Sequence, residues 1–251
     1  MAELEVIRAF SRASSSYEGH AQIQRLCARD LLEMMDMPAP RSVLEVGCGT
    51  GLFTHMLIDK FPDAGILACD PSQRMLSQAR HKIAGGVEFA SCGIGDLPGN
   101  RWELIVSNAA LQWAGPQEVI LPALKALLLP GGTLAFSYFT RNTYPELAEA
   151  LSQAAGIDVK LACGDFASAD EVEGEMSRLF TDVRVQRKVY TRNFADLRAL
   201  LNHIKLTGTR GTGAQPGLIW TKGLLERTQQ EYLSRFGCIR AGYEVVICTA
   251  K

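Results

Sequence analysis

Histidine is scarce in this sequence. His20, His55, His81 and His203 are the only four, and no two of them stand at metal-ligand spacing. The seven cysteines (Cys27, Cys48, Cys69, Cys92, Cys163, Cys238 and Cys248) never form a Cys-x-x-Cys pair and mostly sit inside apolar segments. They read as small core residues of a reducing compartment, and no metal site is expected. No apolar run reaches membrane-spanning length, and the opening MAELEVIRAF lacks the basic and apolar regions of a signal peptide. A cytoplasmic protein without a membrane partner is expected.

What is present is a chain of 251 residues, 47% hydrophobic and 21% charged, long enough for one catalytic domain with appended pieces. Its net charge of −1 conceals an uneven distribution. Through Ser177 there are 13 Lys+Arg against 22 Asp+Glu; after it there are 13 against 5, an excess of +8. Such a basic segment is either a solvated surface or a docking face for an acidic partner.

Along the chain, IQRLCARDLLEMMDM predicts a helix within an amino-terminal segment that ends by residue 40, at Pro38 and Pro40. Between 41 and 140 short apolar runs alternate with amphipathic stretches. SVLEV, GILACD, VEFAS, ELIVSN and GTLAFSYFT read as strands, and Ser72 is placed to cap the helix after the second. This alternation predicts a doubly wound α/β core with a parallel sheet covered on both faces. Residues 141–180 hold two helical patterns where one crossover would suffice, so a small helical cap is expected there and over 194–236. The strand DVRVQRKVYTRNF and a closing strand IRAGYEVVICTAK, antiparallel to its neighbours, complete the domain. The glycine-rich loop over 208–217 is a candidate lid.

VLEVGCGTG (Val43 to Gly51) is the first strand-to-helix turn, the place where open α/β sheets bind ligands. It is not a dinucleotide fingerprint, because Leu52 stands where the third glycine belongs, and it lacks the Gly-Lys-Ser/Thr of a Walker loop. Glu45 ahead of the glycines would repel a pyrophosphate but suits a ligand with a positively charged end. The glycines permit close backbone approach. Asp70, at the end of the second strand, can accept from both hydroxyls of a ribose, and Asp96 in GIGDLP from an adenine amino group. Ribose, adenine and an amino-acid tail together describe S-adenosylmethionine.

With these pieces, the strand ELIVSNAALQW and LLPGGTLAF in order, residues 40–140 resemble the class I, Rossmann-like seven-stranded methyltransferases that use S-adenosylmethionine. The resemblance implies that Gly47, Gly49 and Gly51 lie beside the methionine portion, that Asp70 takes the ribose and Asp96 the adenine, and that Asn108 adjoins the cofactor. FSRASSSYEGHAQIQ, SNAALQW and LRALLNHIKLTGT extend it over nearly the whole chain to the malonyl-acyl-carrier-protein O-methyltransferases of biotin synthesis. Methyl transfer to the free carboxylate of a malonyl thioester is then implied, with another small-molecule carboxylate or a quinone-type acceptor as the alternative. A carboxylate is ionised at neutral pH and needs no general base, which agrees with the absence of a Ser-His-Asp set.

Arg141, directly after the fifth strand, is the leading candidate for the malonyl carboxylate, with Lys205 and Arg210 as further cations. Tyr17 folds over the cofactor or is merely packed; Gln112 is placed to donate to a substrate carbonyl, and Trp113 belongs either to the site or to the core. An acidic carrier protein would dock on Arg184, Arg187, Lys188, Arg192 and Arg198. A nucleic-acid partner is not expected: SNAALQ stands where a base-handling Asp/Asn-Pro-Pro-Tyr/Phe motif would be, and few aromatics interleave the basic residues.

Overall fold

The computed structural model describes residues 3–99, 101–209 and 218–251. Arg210 and most of the 208–217 loop lie outside the described residues. Seven strands form one sheet in the order β3-β2-β1-β4-β5-β7-β6. They are β1 (Ser42–Val46), β2 (Gly65–Cys69), β3 (Val87–Ala90), β4 (Trp102–Asn108), β5 (Leu128–Phe139), β6 (Val183–Phe194) and β7 (Ile239–Ala250). β1 pairs in parallel with both β2 and β4, so the chain reverses its direction of travel across the sheet there. The turns leaving β1 and β4 diverge at that point and open a crevice at the carboxyl ends of the strands. β7 runs antiparallel to β5 and β6, as expected of the closing strand IRAGYEVVICTAK.

The central strands are continuous apolar runs because helices cover both faces. Leu44, Leu104, Ile105, Val106, Leu134 and Phe136 are each fully buried. The helices are α1 (Glu3–Ala13), α2 (Tyr17–His20), α3 (Gln22–Met34), α4 (Leu52–Lys60), α5 (Gln73–Lys82), α6 (Gln117–Ala126), α7 (Pro145–Ala155), α8 (Ala169–Leu179), α9 (Leu197–Leu206) and α10 (Lys222–Phe236). Ser72 caps α5 as the sequence indicates, accepting from Met75 N at 3.3 Å. α7 packs on α10, and α9 on β6, β7 and α10, forming a roof over the carboxyl end of β5. α8 falls within the segment read as cap, but it packs on α6, β6 and β7 as a sheet-covering helix. No helix among the described residues is long and apolar enough to cross a membrane.

The roof is tied to the sheet by Glu146 in the first turn of α7, 9% exposed. Its carboxylate accepts from Arg240 Nε at 3.0 Å and from the backbone N–H of Gly242 at 2.9 Å. A side chain at 242 would press on that carboxylate, since a Cβ there lies 3.1 Å from Oε2. Glu146→Ala strands a buried N–H and an arginine, so it should lower unfolding free energy by about 2 kcal/mol, measured by urea denaturation.

Candidate functional site

The glycine loop between β1 and α4 is held in left-handed backbone: Gly47, Gly49 and Gly51 have φ of 76°, 55° and 80°. Their surroundings differ. A Cβ on Gly47 would lie 2.3 Å from the Ala110 Cβ, whereas one on Gly49 would meet nothing within 4 Å. Gly47 and Gly49 line a cavity of about 120 Å³ together with Tyr17, Asp70, Asn108 and Trp113. Gly51 does not line it. A Cβ there would lie 2.9 Å from Ile83 and 3.2 Å from Ala79 of the α5 region, so the missing side chain permits close packing.

Asp70 sits at the tip of β2, where its two carboxylate oxygens accept from Gly49 N at 2.9 Å and from Ser72 N at 2.8 Å. Burial raises its pKa to about 6, against the lowering effect of these two N–H donors. Each oxygen keeps a lone pair for a ribose hydroxyl. Tyr17 closes over the same cavity, and burial, with Asp70's charge next, pushes its phenol far above the ordinary range. Val6, Ile7 and Phe10 of α1 complete the cover, a contribution that sequence periodicity did not distinguish from core packing. Glu18 fastens it down, pairing with Lys82 and accepting from Thr50 Oγ1 of the glycine loop at 2.8 Å.

Asn108 ends β4, where its Oδ1 accepts from Ser137 Oγ at 2.7 Å and its Nδ2 donates to the Gln24 carbonyl at 3.1 Å. Ala109 follows with a φ of 54°. Gln112, read as a donor to substrate, lines neither cavity described here; its Nε2 donates to the Ala109 carbonyl at 2.8 Å and braces this strained turn. Trp113 lines both cavities. Its indole packs edge-on against Phe10 at 5.6 Å and Phe166 at 4.8 Å and forms a wall shared by two cavities.

Two acids expected at the cofactor are elsewhere. Glu45 is 1% exposed and accepts from Thr54 Oγ1 of α4 at 2.6 Å, absent from the cavity lining that its neighbour Val46 joins. Adjacent strand residues face opposite sides of a sheet, which is why one lines the cavity and the other does not. Burial raises the Glu45 pKa to about 8. Asp96 is exposed, because a short 3-10 turn (Ile94–Asp96) carries it past the cavity while Cys92, Gly93 and Ile94 form the wall.

The second cavity, about 420 Å³, lies on the far side of Trp113 beneath the roof. Phe139, Leu147, Phe166 and Trp220 make it largely apolar, and Arg198 and Lys205 of α9 are the cations in its lining among the described residues. Arg141 is not in that lining. It leaves β5 at the expected edge, but its Nε donates to the Phe166 carbonyl at 3.2 Å and its guanidinium pairs with Glu171, the capping-box partner of Ser168 in α8. Tyr144 and Tyr243, which the sequence reading did not single out, also line the cavity. Tyr144 is a non-glycine residue at φ 62°, and burial pushes its pKa up to about 12.

The sheet order and the glycine loop on β1 define a class I methyltransferase fold. Solved structures agree: YjhP from E. coli superposes with a TM-score of 0.59 at 16% identity over 97% of this chain and 100% of that one. An S-adenosylmethionine-dependent methyltransferase from Thiobacillus denitrificans, in complex with S-adenosyl-L-homocysteine, gives 0.52 at 17% identity over 89% and 90%. Residues 43–132 match the family model described as a methyltransferase domain. The malonyl-[acyl-carrier protein] O-methyltransferase of Acetivibrio thermocellus is 31% identical over 96% of this chain and 91% of its own length. That of Halalkalibacterium halodurans is 28% identical over 98% and 97%. The chain belongs to the malonyl-[acyl-carrier protein] O-methyltransferase family.

Two outcomes follow from this geometry. Gly47→Ala places a methyl group against Ala110 in left-handed backbone, so affinity for S-adenosylhomocysteine by calorimetry should fall by about tenfold or more. Glu45 has a folded pKa above its unfolded one, so its contribution to stability is complete below the ordinary carboxyl pKa and is lost as pH rises through about 8. Glu45→Gln removes that loss. Denaturation of the ligand-free protein should find the variant near parity at pH ~4 and more stable, on the order of 2 kcal/mol, at pH ~8.

Proposed function

We propose that this protein methylates the free carboxylate of a malonyl group held as a thioester on an acyl carrier protein. S-adenosylmethionine is the methyl donor: when bound, it supplies an electrophilic methyl group, whose bond to sulfur breaks as a bond to the carboxylate oxygen forms, with no proton transferred. The observation that carries the reading is the pair of cavities meeting at Trp113, one built on the glycine loop and Asp70, the other apolar with cations at Arg198 and Lys205. Membership in a family whose relatives bear this activity in their names supports the acceptor.

Each residue has a physical task. Asp70 receives the ribose hydroxyls, and the backbone of Gly47 and Gly49 lies against the donor's amino-acid end. The adenine end meets Cys92, Gly93 and Ile94, so it is read by backbone and shape in place of an acid. Tyr17, Phe10 and Trp113 exclude water from the reacting pair. The acceptor carboxylate is already ionised, so Arg198 and Lys205 orient it and partly offset its desolvation.

For carrier docking, ion pairing within the chain supports a narrower set of basic residues. Arg187 pairs with Asp170 and Glu173, and Lys188 with Asp30, which spends their charge within the chain. Arg184 stands opposite Thr249, which pairs with Ala135, short of the carboxyl end of β5 at Phe139 and away from the crevice. Arg192, beyond the level of Phe139, and Arg198 are at the correct end of the sheet. Arg192 and Arg198 are therefore the steering residues for an acidic carrier.

The test is incubation with S-adenosylmethionine and malonyl-carrier, with a methyl ester expected in the intact mass. Arg198→Ala and Lys205→Ala should each raise KM for malonyl-carrier by about tenfold, with cofactor affinity retained, and Arg141→Ala should stay within about twofold. Raising salt should weaken carrier binding. Methylation of an unrelated acid or a quinone-type acceptor, with no malonyl ester, overturns the assignment.

A further inference from the structure

The stretch FSRASSSYEGHAQIQ ends at Gln24, in the first turn of α3. This glutamine is 6% exposed and lines the larger cavity. A buried amide ordinarily has its hydrogen-bonding groups satisfied. Gln24 is held through its main chain, where its carbonyl accepts from Asn108 Nδ2 at 3.1 Å, while its side-chain amide bonds to none of the described residues. Neither amide atom is sealed from water: the sealed, unpaired side-chain atoms among the described residues are Trp102 Nε1, Gln112 Oε1, Thr133 Oγ1 and Tyr243 Oη. An amide that is unpaired yet reached by water, on a residue that lines the cavity, opens into that cavity.

The rest of the polar lining is placed differently. Thr143 Oγ1 donates to the Thr140 carbonyl at 2.9 Å, and Cys163 Sγ to that of Thr143 at 2.8 Å. Tyr144 Oη and Thr209 Oγ1 lie 3.3 Å apart and engage each other. Arg198, Asn202 and Lys205 of α9 are exposed, at the rim. Among the described residues, Gln24 is thus the buried polar side chain of this cavity with an accessible donor and acceptor both uncommitted.

Gln24 also sits where the two cavities meet. Asn108, which binds its carbonyl, lines the smaller cavity, and Trp113 lines both. Methyl transfer needs the reacting atoms about 3 Å apart, so the acceptor carboxylate must occupy this junction and its thioester the space further out. We propose that Gln24 Nε2 donates a hydrogen bond to one carboxylate oxygen of the methyl acceptor and so directs the other oxygen at the methyl group. This rests on the proposed function, with the larger cavity as the acceptor site. Because neither amide atom is tied, the group turns its NH2 to the anion at no cost in broken hydrogen bonds. A carboxylate accepts about four hydrogen bonds, so Arg198 and Lys205 complete its donors from the rim.

The experiment compares Gln24→Met and Gln24→Glu with the parent chain by steady-state kinetics on malonyl-carrier, thermal denaturation and calorimetric affinity for S-adenosylhomocysteine. Gln24→Met has a similar shape without the donor; it should keep or raise the melting midpoint, keep S-adenosylhomocysteine affinity within about twofold, and lose about 10- to 100-fold in kcat/KM. Gln24→Glu sets a like charge against the acceptor and should lose more than Gln24→Met. Higher activity in Gln24→Glu than in Gln24→Met overturns the proposal, because the side chain would then be accepting from the thioester arm. Parent-like kcat/KM in Gln24→Met overturns it, as does a kinetic loss matched by an equal loss of S-adenosylhomocysteine affinity or by a lowered melting midpoint, which would make Gln24 a brace for Asn108. Each of these leaves the proposed function standing; if the parent protein forms no malonyl ester, both fall.

Discussion

The carboxylate of Asp70 is the joint on which the site depends. One oxygen takes the N–H of Gly49 and the other the N–H of Ser72, so a single side chain at the tip of β2 fixes both the glycine loop and the start of α5. Ser72 then caps α5 and shares a 2.7 Å hydrogen bond with Ser11 of α1, which carries the constraint into the amino-terminal cover. Burial raises the Asp70 pKa to about 6, and without the two N–H donors the rise would be greater. The acid remains charged at neutral pH because the fold supplies the donors that its lost hydration no longer does.

From that joint the molecule builds two rooms with one wall. Trp113 is held by Phe10 on the side of the smaller cavity and Phe166 on the side of the larger one. The amino-terminal helices and the roof, which are far apart in sequence, therefore meet on the same indole. Edge-to-face packing of this kind is rigid and dry, as a reaction requiring alignment and exclusion of water demands. The polar groups around it are braces: Gln112 and Ser137 fix the backbone after β4, and Glu146 ties the roof to β7.

Much of this was legible because local chemistry forces it. Strands buried on both faces must be continuous apolar runs, and left-handed turns favour glycine, so the core order and the loop at Gly47 and Gly49 could be read directly. Ser72 was legible as a cap, and Asp70 as the acid ending the second strand. That Glu45 turns to Thr54 was not legible, because a sequence does not say which side of the sheet the last strand residues face. Nor was the exposure of Asp96 on a short turn, or the pairing of Arg141 with Glu171, thirty positions away.

The sequence by itself determined the fold class, the family and the presence of a donor pocket, since these rest on spacing and on neighbours a few residues apart. Only the tertiary structure decided which cations line the larger cavity and which basic residues are paired within the chain. Those outcomes are competitions between groups from distant segments. Arg187 meets Asp170 and Glu173, Lys188 meets Asp30, and Arg141 meets Glu171. Such competitions are resolved by distance in the folded chain, which no local pattern encodes.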